Sequence, residues 1–302
     1  ASKDFVPHNL EVQVPGRVFL VTGGNSGTGK ATALEIAKRD KQLLTHVSTE
    51  PHVHLVCRDQ AGAEDARGEI IRESGNQNIF LHIVDLSDPK KIWKFVENFK
   101  QEHKLHVLIN NAGCMVNKRE LTEDGLEKNF ATNTLVNTRS VYILTTGLIP
   151  VPEKEHDPRV ITVSSGGMLV QKLNTDDLHF DGTMVYAQNK RQQVVLMERW
   201  AQGHPAIHFS SMHPGWADTP GVRQAMPGFH ARFRDRLRSE TQGTDPVLWL
   251  ALSSAAAAQP SSRFFQDRKP VSTHLSLTRM SSSPAEEEKL IEILEQPAQT
   301  FK

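Results

Sequence analysis

A chain of 302 residues with 38% hydrophobic side chains can bury one large core, and its composition excludes wholesale disorder. The 35 basic side chains are matched by 35 acidic ones, so there is no overall positive field of the kind that draws proteins to nucleic acid or anionic membrane. The two cysteines, Cys57 and Cys114, are too few for a disulfide framework and lack metal-ligand spacing, so no metal site and a reducing compartment are expected.

Strand-like and helix-like stretches then alternate. Arg17 to Thr22 reads as a strand, glycines follow, and Lys30 to Arg39 carries Ala33, Leu34 and Ala37 at helical spacing. The pattern repeats with Val53 to Cys57 before Glu64 to Ser74, Ile79 to Val84 before Pro89 to His103, and His106 to Asn110 before a helix starting near Glu123. Val160 to Ser164 and Ile207 to Met212 read as later strands, with a helix over Thr183 to Gln202 between them. Such alternation predicts an α/β, doubly wound parallel sheet with helices on both faces. One domain over 1–302 suffices, with a core over about 16–267 and a C-terminal loop and helix over 268–302. Pro260 to Pro284 reads as loop around one strand, Arg263 to Gln266. Beyond it, Pro284 and three glutamates open a helix whose stripe of Leu290, Ile291 and Leu294 is expected to pack on its own domain rather than on a partner or a membrane. No apolar run is long enough to span a bilayer, and Ala1 to Val14 is too polar for a signal peptide. The chain starts without methionine, which leaves room for an upstream targeting segment, and an intracellular location, cytoplasmic or organelle-associated, is expected.

The turn after the first strand is Thr22-Gly23-Gly24-Asn25-Ser26-Gly27-Thr28-Gly29. Glycines there let backbone amides approach a pyrophosphate, and the following helix directs its N-terminal dipole at the charge. Three other stretches end strands and line the same crevice of an open parallel sheet: Asp85-Leu86, Asn110-Asn111-Ala112-Gly113 and Ser164-Ser165-Gly166-Gly167. Farther on, Tyr186 and Lys190 stand four residues apart on one helical face, where an ammonium favours the phenolate over a phenol whose unperturbed pKa is about 10. The other tyrosine, Tyr142, has Thr146 at that offset.

The ordered set TGGNSGTG, NNAG, Asn133, VSSGG, YAQNK and HPGWADT resembles the short-chain dehydrogenase/reductase superfamily, in particular its retinol-dehydrogenase-like branch, over nearly the whole chain. The resemblance implies a single-domain Rossmann fold of about seven strands, and hydride transfer between a nicotinamide cofactor and a small carbonyl or alcohol. It gives Tyr186 the role of general acid in reduction and of base in oxidation. Ser165 stands beside the substrate oxygen, with Ser164 as the fallback, and Asn133 holds a water chain leading to Lys190. Around the cofactor it places Gly23, Asn25, Ser26, Gly27, Thr28 and Gly29 at the phosphates and Asp85 with Leu86 at the adenine. Asn111, Ala112 and Gly113 form the ribose wall, Tyr186 and Lys190 reach the ribose, and Pro214, Gly215 and Thr219 lie at the nicotinamide. Arg58, at the end of the second strand, points to NADP(H), while the neighbouring Asp59 keeps NAD(H) as the alternative. Dimers or tetramers are common in this superfamily, and Cys114 is expected to pack rather than react.

Three features depart from the family pattern. Thr28 replaces an apolar residue between the last two glycines, Asp40 to His52 is longer than the usual turn, and Val136 to Ser140 adds about one helical turn after Asn133, so that the helix must bulge or shift register. They motivate a second reading, a catalytically silent nucleotide-binding or scaffold protein of the same fold. A different Rossmann enzyme such as a methyltransferase is disfavoured by the Tyr186 and Lys190 pair. Nucleic-acid binding would rest only on Arg232, Arg234, Arg236 and Arg238, which read as a solvated or substrate-lid segment. Between Gly215 and Gln242, where the resemblance implies a substrate lid, Trp216, Met226, Phe229 and Phe233 predict an apolar pocket for a lipophilic carbonyl.

Overall fold

The structure is a computed structural model that describes residues 14–39, 50–113, 134–175, 182–275 and 281–300. Asn133, Cys114, the helix expected near Glu123 and most of the 40–52 stretch lie outside the described residues.

Strand β1 (Val18–Thr22) shows how the sequence builds two cores. Its side chains alternate in direction: Val18 and Leu20 join one apolar cluster with Val96, Phe99 and Val160, while Phe19 and Val21 join another with Ile36, Leu55 and Ile70. A strand buried on both faces reads as an unbroken apolar run, as this one does. The remaining strands are β2 (His52–Cys57), β3 (Ile79–Ile83), β4 (Val107–Asn110), β5 (Arg159–Val163), β6 (His208–His213), β7 (Arg263–Gln266) and β8 (Lys269–Val271). They form one sheet in the order β3-β2-β1-β4-β5-β6-β7-β8, parallel except for the β7–β8 pair. The order reverses between β1 and β4, which opens a crevice beyond their C-terminal ends at Thr22 and Asn110.

The doubly wound parallel sheet expected from the sequence is therefore present, with one strand more than the expected seven. A loop was expected where β8 lies. The β7–β8 turn is Asp267-Arg268, both at positive φ (49° and 64°), a backbone that two-residue hairpins require and that glycine or asparagine usually supplies. Here ion pairs hold it, Asp267 to Arg238 at 2.6 Å and Arg268 to Asp245.

Helices α1 (Gly27–Ala37), α2 (Gln60–Ser74) and α3 (Pro89–Glu102) follow the first three strands. Asp59 caps α2 and Asp88 caps α3, each carboxylate accepting from first-turn amides. Helix α3 buries Ile92, Trp93, Phe95, Val96 and Phe99, one stripe at helical spacing. A π-helical stretch, Thr134–Arg139, leads into α4 (Ser140–Leu148). The bulge expected from the extra residues after Asn133 is thus seen as a wider helical turn. Helix α5 (Gly182–Gly203) is followed by the short α6 (Pro220–Ala225) and α7 (Pro227–Phe233), then α8 (Glu240–Leu252), α9 (Ser254–Ala257) and α10 (Pro284–Thr300).

The C-terminal stripe packs as expected. Leu290 and Leu294 are each 3% exposed within the same cluster as Val18 and Leu20. Ser283 caps α10, its hydroxyl accepting from the Glu286 amide while the Glu286 carboxylate accepts from the Ser283 amide. Arg199 and Lys172 pair with Glu288 and Glu286 across the contact. No helix among the described residues is long and apolar enough to cross a membrane.

Candidate active site

A cleft of about 750 Å³ lies beyond the C-terminal ends of β1, β2, β4, β5 and β6, and it gathers residues that are far apart in sequence. Its walls include Gly23, Asn25, Ser26, Gly27, Thr28 and Gly29, then Arg58 with Asp59, Asp85 with Leu86, and Asn111 with Ala112 and Gly113. Ser164, Ser165, Tyr186, Lys190, Pro214, Gly215 and Thr219 complete it. Every expected site residue among the described ones therefore borders a single cavity.

The glycine turn is built for close approach. Gly23 and Gly27 sit at φ +66° and +52°, where side chains are strained. A Cβ on Gly29 would lie 2.2 Å from the Gly23 carbonyl oxygen and 2.4 Å from Asn111 Nδ2, so only glycine fits. Ser26 is the N-cap of α1, and its side chain makes no capping hydrogen bond. Thr22 Oγ1 accepts from the amides of Asn111 and Ala112, and Asn111 Nδ2 donates to the carbonyls of Thr22 and Gly23. Asn111 thus braces the turn from behind as well as forming wall. A helix N-terminus behind a glycine-rich turn is a cradle that fits a pyrophosphate. Thr28, the apparent defect in the motif, lines the same cleft, and its backbone carbonyl accepts from Thr32 Oγ1 at 2.7 Å.

At the next strand ends the charges are arranged in opposite ways. Asp59 is occupied as the α2 cap, 2.6 Å from the Gly62 amide, whereas the exposed Arg58 borders the cleft. Asp85 accepts from the Ser87 amide at 2.9 Å and from its hydroxyl at 2.7 Å. Partial burial opposes ionisation of Asp85, but those two bonds and the Arg58 charge outweigh it and hold the carboxyl below its ordinary pKa.

Lys190 is 2% exposed, and its Nζ donates to the Val163 carbonyl at 2.8 Å and to Gln193 Oε1 at 3.3 Å. The same Nζ lies 5.4 Å from the centroid of the Tyr186 ring, one turn earlier on α5. Of the two serines, Ser164 is 2% exposed and donates to the Lys190 carbonyl, which ties β5 to α5. Ser165 is more open, and its Oγ accepts from the Gly167 amide. Its own proton faces no acceptor along that bond, so it is the better donor to a ligand. Tyr142, by contrast, is 7% exposed, stacks on Trp200, and has its pKa raised by burial.

Three residues were missed in the sequence. Asn137, fully buried, projects its side-chain oxygen over Gly113. A Cβ added there would lie 2.9 Å from Asn137 Oδ1 and 3.4 Å from Lys190 Nζ. Gln193 joins the two, accepting from Lys190 while its Nε2 donates to the Asn137 carbonyl. The pair Asn137-Thr138 repeats Asn133-Thr134 one turn earlier, which was the available signal. His213, first residue of the HPGWADT stretch, lies beneath Gly166, and burial followed by the Arg238 charge pushes its pKa down to about 4. Of the four arginines weighed for nucleic acid, Arg238 is committed, donating to the Pro214 carbonyl and pairing with Asp267. Cys57 is buried and its thiol is pushed up to about 11, chiefly by desolvation, so it is inert.

A doubly wound sheet with a glycine turn, a serine, a tyrosine and a lysine at one crevice has the architecture of the short-chain oxidoreductases. Residues 17–227 match the family model for short chain dehydrogenase, and the chain belongs to that family. It is 85% identical over 307 residues to human dehydrogenase/reductase SDR family member 12, covering 100% of this chain and 92% of that protein. It is 33% identical to mouse retinol dehydrogenase 12, covering 85% of this chain and 80% of that one. Among solved structures, a 3-ketoacyl-(acyl-carrier-protein) reductase from Brucella melitensis complexed with NADH superposes with a TM-score of 0.65 at 25% identity, covering 84% of this chain and 97% of that one.

Proposed function

We propose that this chain transfers a hydride between NADP(H) and the carbonyl or alcohol group of a small lipophilic substrate. The observation that carries the reading is the opening of Tyr186, Lys190 and Ser165 onto the same cleft as the glycine turn. The nicotinamide cofactor supplies or accepts the hydride when bound. In reduction, Ser165 donates a hydrogen bond to the substrate oxygen and stabilises the negative charge that develops there. Tyr186 then gives its phenolic proton to that oxygen, and in oxidation the phenolate takes a proton back. The buried Lys190 charge favours the phenolate left behind, and Lys190 would hold the cofactor's ribose when it is bound. Asn133 and Asn137 hold the proton path that reloads Tyr186.

Asn137 acts through Lys190, so it is a positioning residue. Asn137→Ala is expected to lower kcat by up to about a hundredfold, the cost of misplacing a reacting group by an ångström, while KM for substrate moves less than twofold. A matching loss in both constants would mean that the substitution damages the whole site. Asn137→Asp, which keeps the acceptor oxygen, should recover part of kcat.

The preference for NADP(H) rests on Arg58, whose guanidinium suits a 2′-phosphate, and on the use of Asp59 as a helix cap. NADPH should bind more tightly than NADH by about tenfold to a hundredfold, and Arg58→Asp should reverse the order. Equal affinities in the unaltered protein, measured by fluorescence titration, would refute the preference.

Apolar side chains at the mouth support a lipophilic substrate. Trp216, 48% exposed, and Met226 border the cleft, and Trp216 packs on Phe229 at 4.8 Å, which packs on Phe233 at 4.9 Å. A panel of retinoid, steroid and fatty aldehydes, followed by NADPH absorbance, tests the activity and ranks the class.

A further inference from the structure

On the α3 side of the sheet, at its β3 edge, three histidines turn their ring nitrogens toward one another. His54 comes from β2, His82 from β3 and His103 from the residue after α3. In parallel pairing His54 stands opposite Phe80 and His82 opposite Val56, so both histidines project from the same face. Their ligand nitrogens and that of His103 all lie within 4.8 Å of one another. His54 Nδ1 and His82 Nε2 are 2.9 Å apart.

We propose that His54, His82 and His103 bind one divalent transition-metal ion of the zinc class, at a site separate from the catalytic cleft. No metal was expected, and the three ligands show no motif spacing because they come from three separate elements. The geometry is close to that of a loaded site. Zinc–imidazole bonds of about 2.0–2.1 Å put two nitrogens of a tetrahedral ion about 3.3 Å apart, near the His54–His82 separation. His103 must move inward, and its side chain, 31% exposed, has room to do so.

The donor set selects the ion. Three neutral imidazoles favour zinc, copper or nickel over magnesium or calcium, which take oxygen ligands. The two inner rings are held neutral: burial first, then the neighbouring histidines, depress His54 to about 3 and His82 to about 4. Their lone pairs are therefore free of acid at physiological pH. One of the two rings carries the proton of their mutual contact. On binding, that proton transfers to the ring's other nitrogen, so the two rings stay neutral and no net proton is released. Water or Glu102, whose Oε2 lies 3.8 Å from His103 Nε2, supplies the fourth ligand.

Three apolar rings could have filled this space, and the surroundings are apolar: Phe80 stacks on His54 at 4.8 Å, Phe99 meets it edge-on at 5.2 Å and Phe95 lies 5.0 Å from His82. Phe99 and Phe95 wall the inner side of the converging nitrogens and limit the water that competes for them, while Phe80, 37% exposed, leaves the outer side open. The bound ion would tie β2, the edge strand β3 and the end of α3 together. His54 lies two residues before Val56, where β2 first borders the cleft, about 7 Å along the strand, and none of the three histidines lines that cleft, so the ion takes no part in hydride transfer.

The test uses the whole protein, stripped with EDTA and titrated with zinc chloride in a calorimeter. One equivalent should bind, and zinc at a hundredfold excess over Kd should raise Tm by about 4 °C for a chain of this size. His103→Gln, at the partly exposed position, should fold normally yet weaken binding on the order of a hundredfold and abolish the Tm gain. His82→Gln should do the same, and cobalt should give a visible band in the parent that both variants lack. No stoichiometric binding, or zinc held equally well by His103→Gln, overturns the site.

Discussion

Tyr186→Phe is expected to lower turnover by about a hundredfold to ten-thousandfold while leaving NADPH affinity almost unchanged. The ring still packs at the cleft beside Lys190, and only the transferable proton is gone. Lys190→Met should behave differently. Its ammonium is buried against the Val163 carbonyl and Gln193, so the variant loses the charge beside the phenol and leaves both partners without their donor. Turnover, cofactor affinity and stability should all fall. Separate measurement of kcat, cofactor Kd and Tm distinguishes the two residues, and a Tyr186→Phe protein with undiminished turnover of an accepted substrate refutes the acid role.

The second large effect is predicted at the phosphate turn. Gly29→Ala adds one carbon where 2.2 Å separates it from the Gly23 carbonyl oxygen, backbone that cannot step aside without moving the turn. The same carbon meets Asn111 Nδ2, whose bonds hold Thr22 and Gly23 in place. Cofactor binding should weaken by about a hundredfold or more, on the scale of the few kcal/mol that overpacking costs. Gly68→Ala is the control, because nothing lies within 4 Å of a Cβ there. If isothermal titration gives Gly29→Ala the parent's NADPH affinity, the turn is not the phosphate cradle.

What the sequence revealed and what it hid both have physical causes. β1 and β4 were legible because strands covered on both faces are continuous apolar runs, and α3 because one buried stripe repeats at helical spacing. Helix α8 was not, since Gly243 to Leu252 is buried on every side and so shows no polar face, and Pro246 interrupts it. β8 was hidden by its three-residue length, by Pro270 and by a turn whose positive-φ residues are Asp and Arg. In the site, Tyr186 and Lys190 were readable because one helix fixes their spacing. Gln193 and Asn137 were not, because what matters about them is a contact between α5 and the π-helical turn, which no local spacing encodes. The three histidines are the extreme case, joined only when β2, β3 and α3 assemble.

The docking of α10 has a bearing on how the chain is made. Leu290 and Leu294 complete a cluster whose first members are Val18 and Leu20, so residues near opposite ends of the sequence share one core. A ribosome releases those ends at different times. Until Leu294 emerges, the cluster that also holds Trp200, Tyr142 and Ile149 lacks two of its members, and incompletely covered apolar surface of this kind is what chaperones guard. A chain cut before Pro284 would keep that surface for life, with every catalytic residue intact, and its failing would be solubility rather than chemistry.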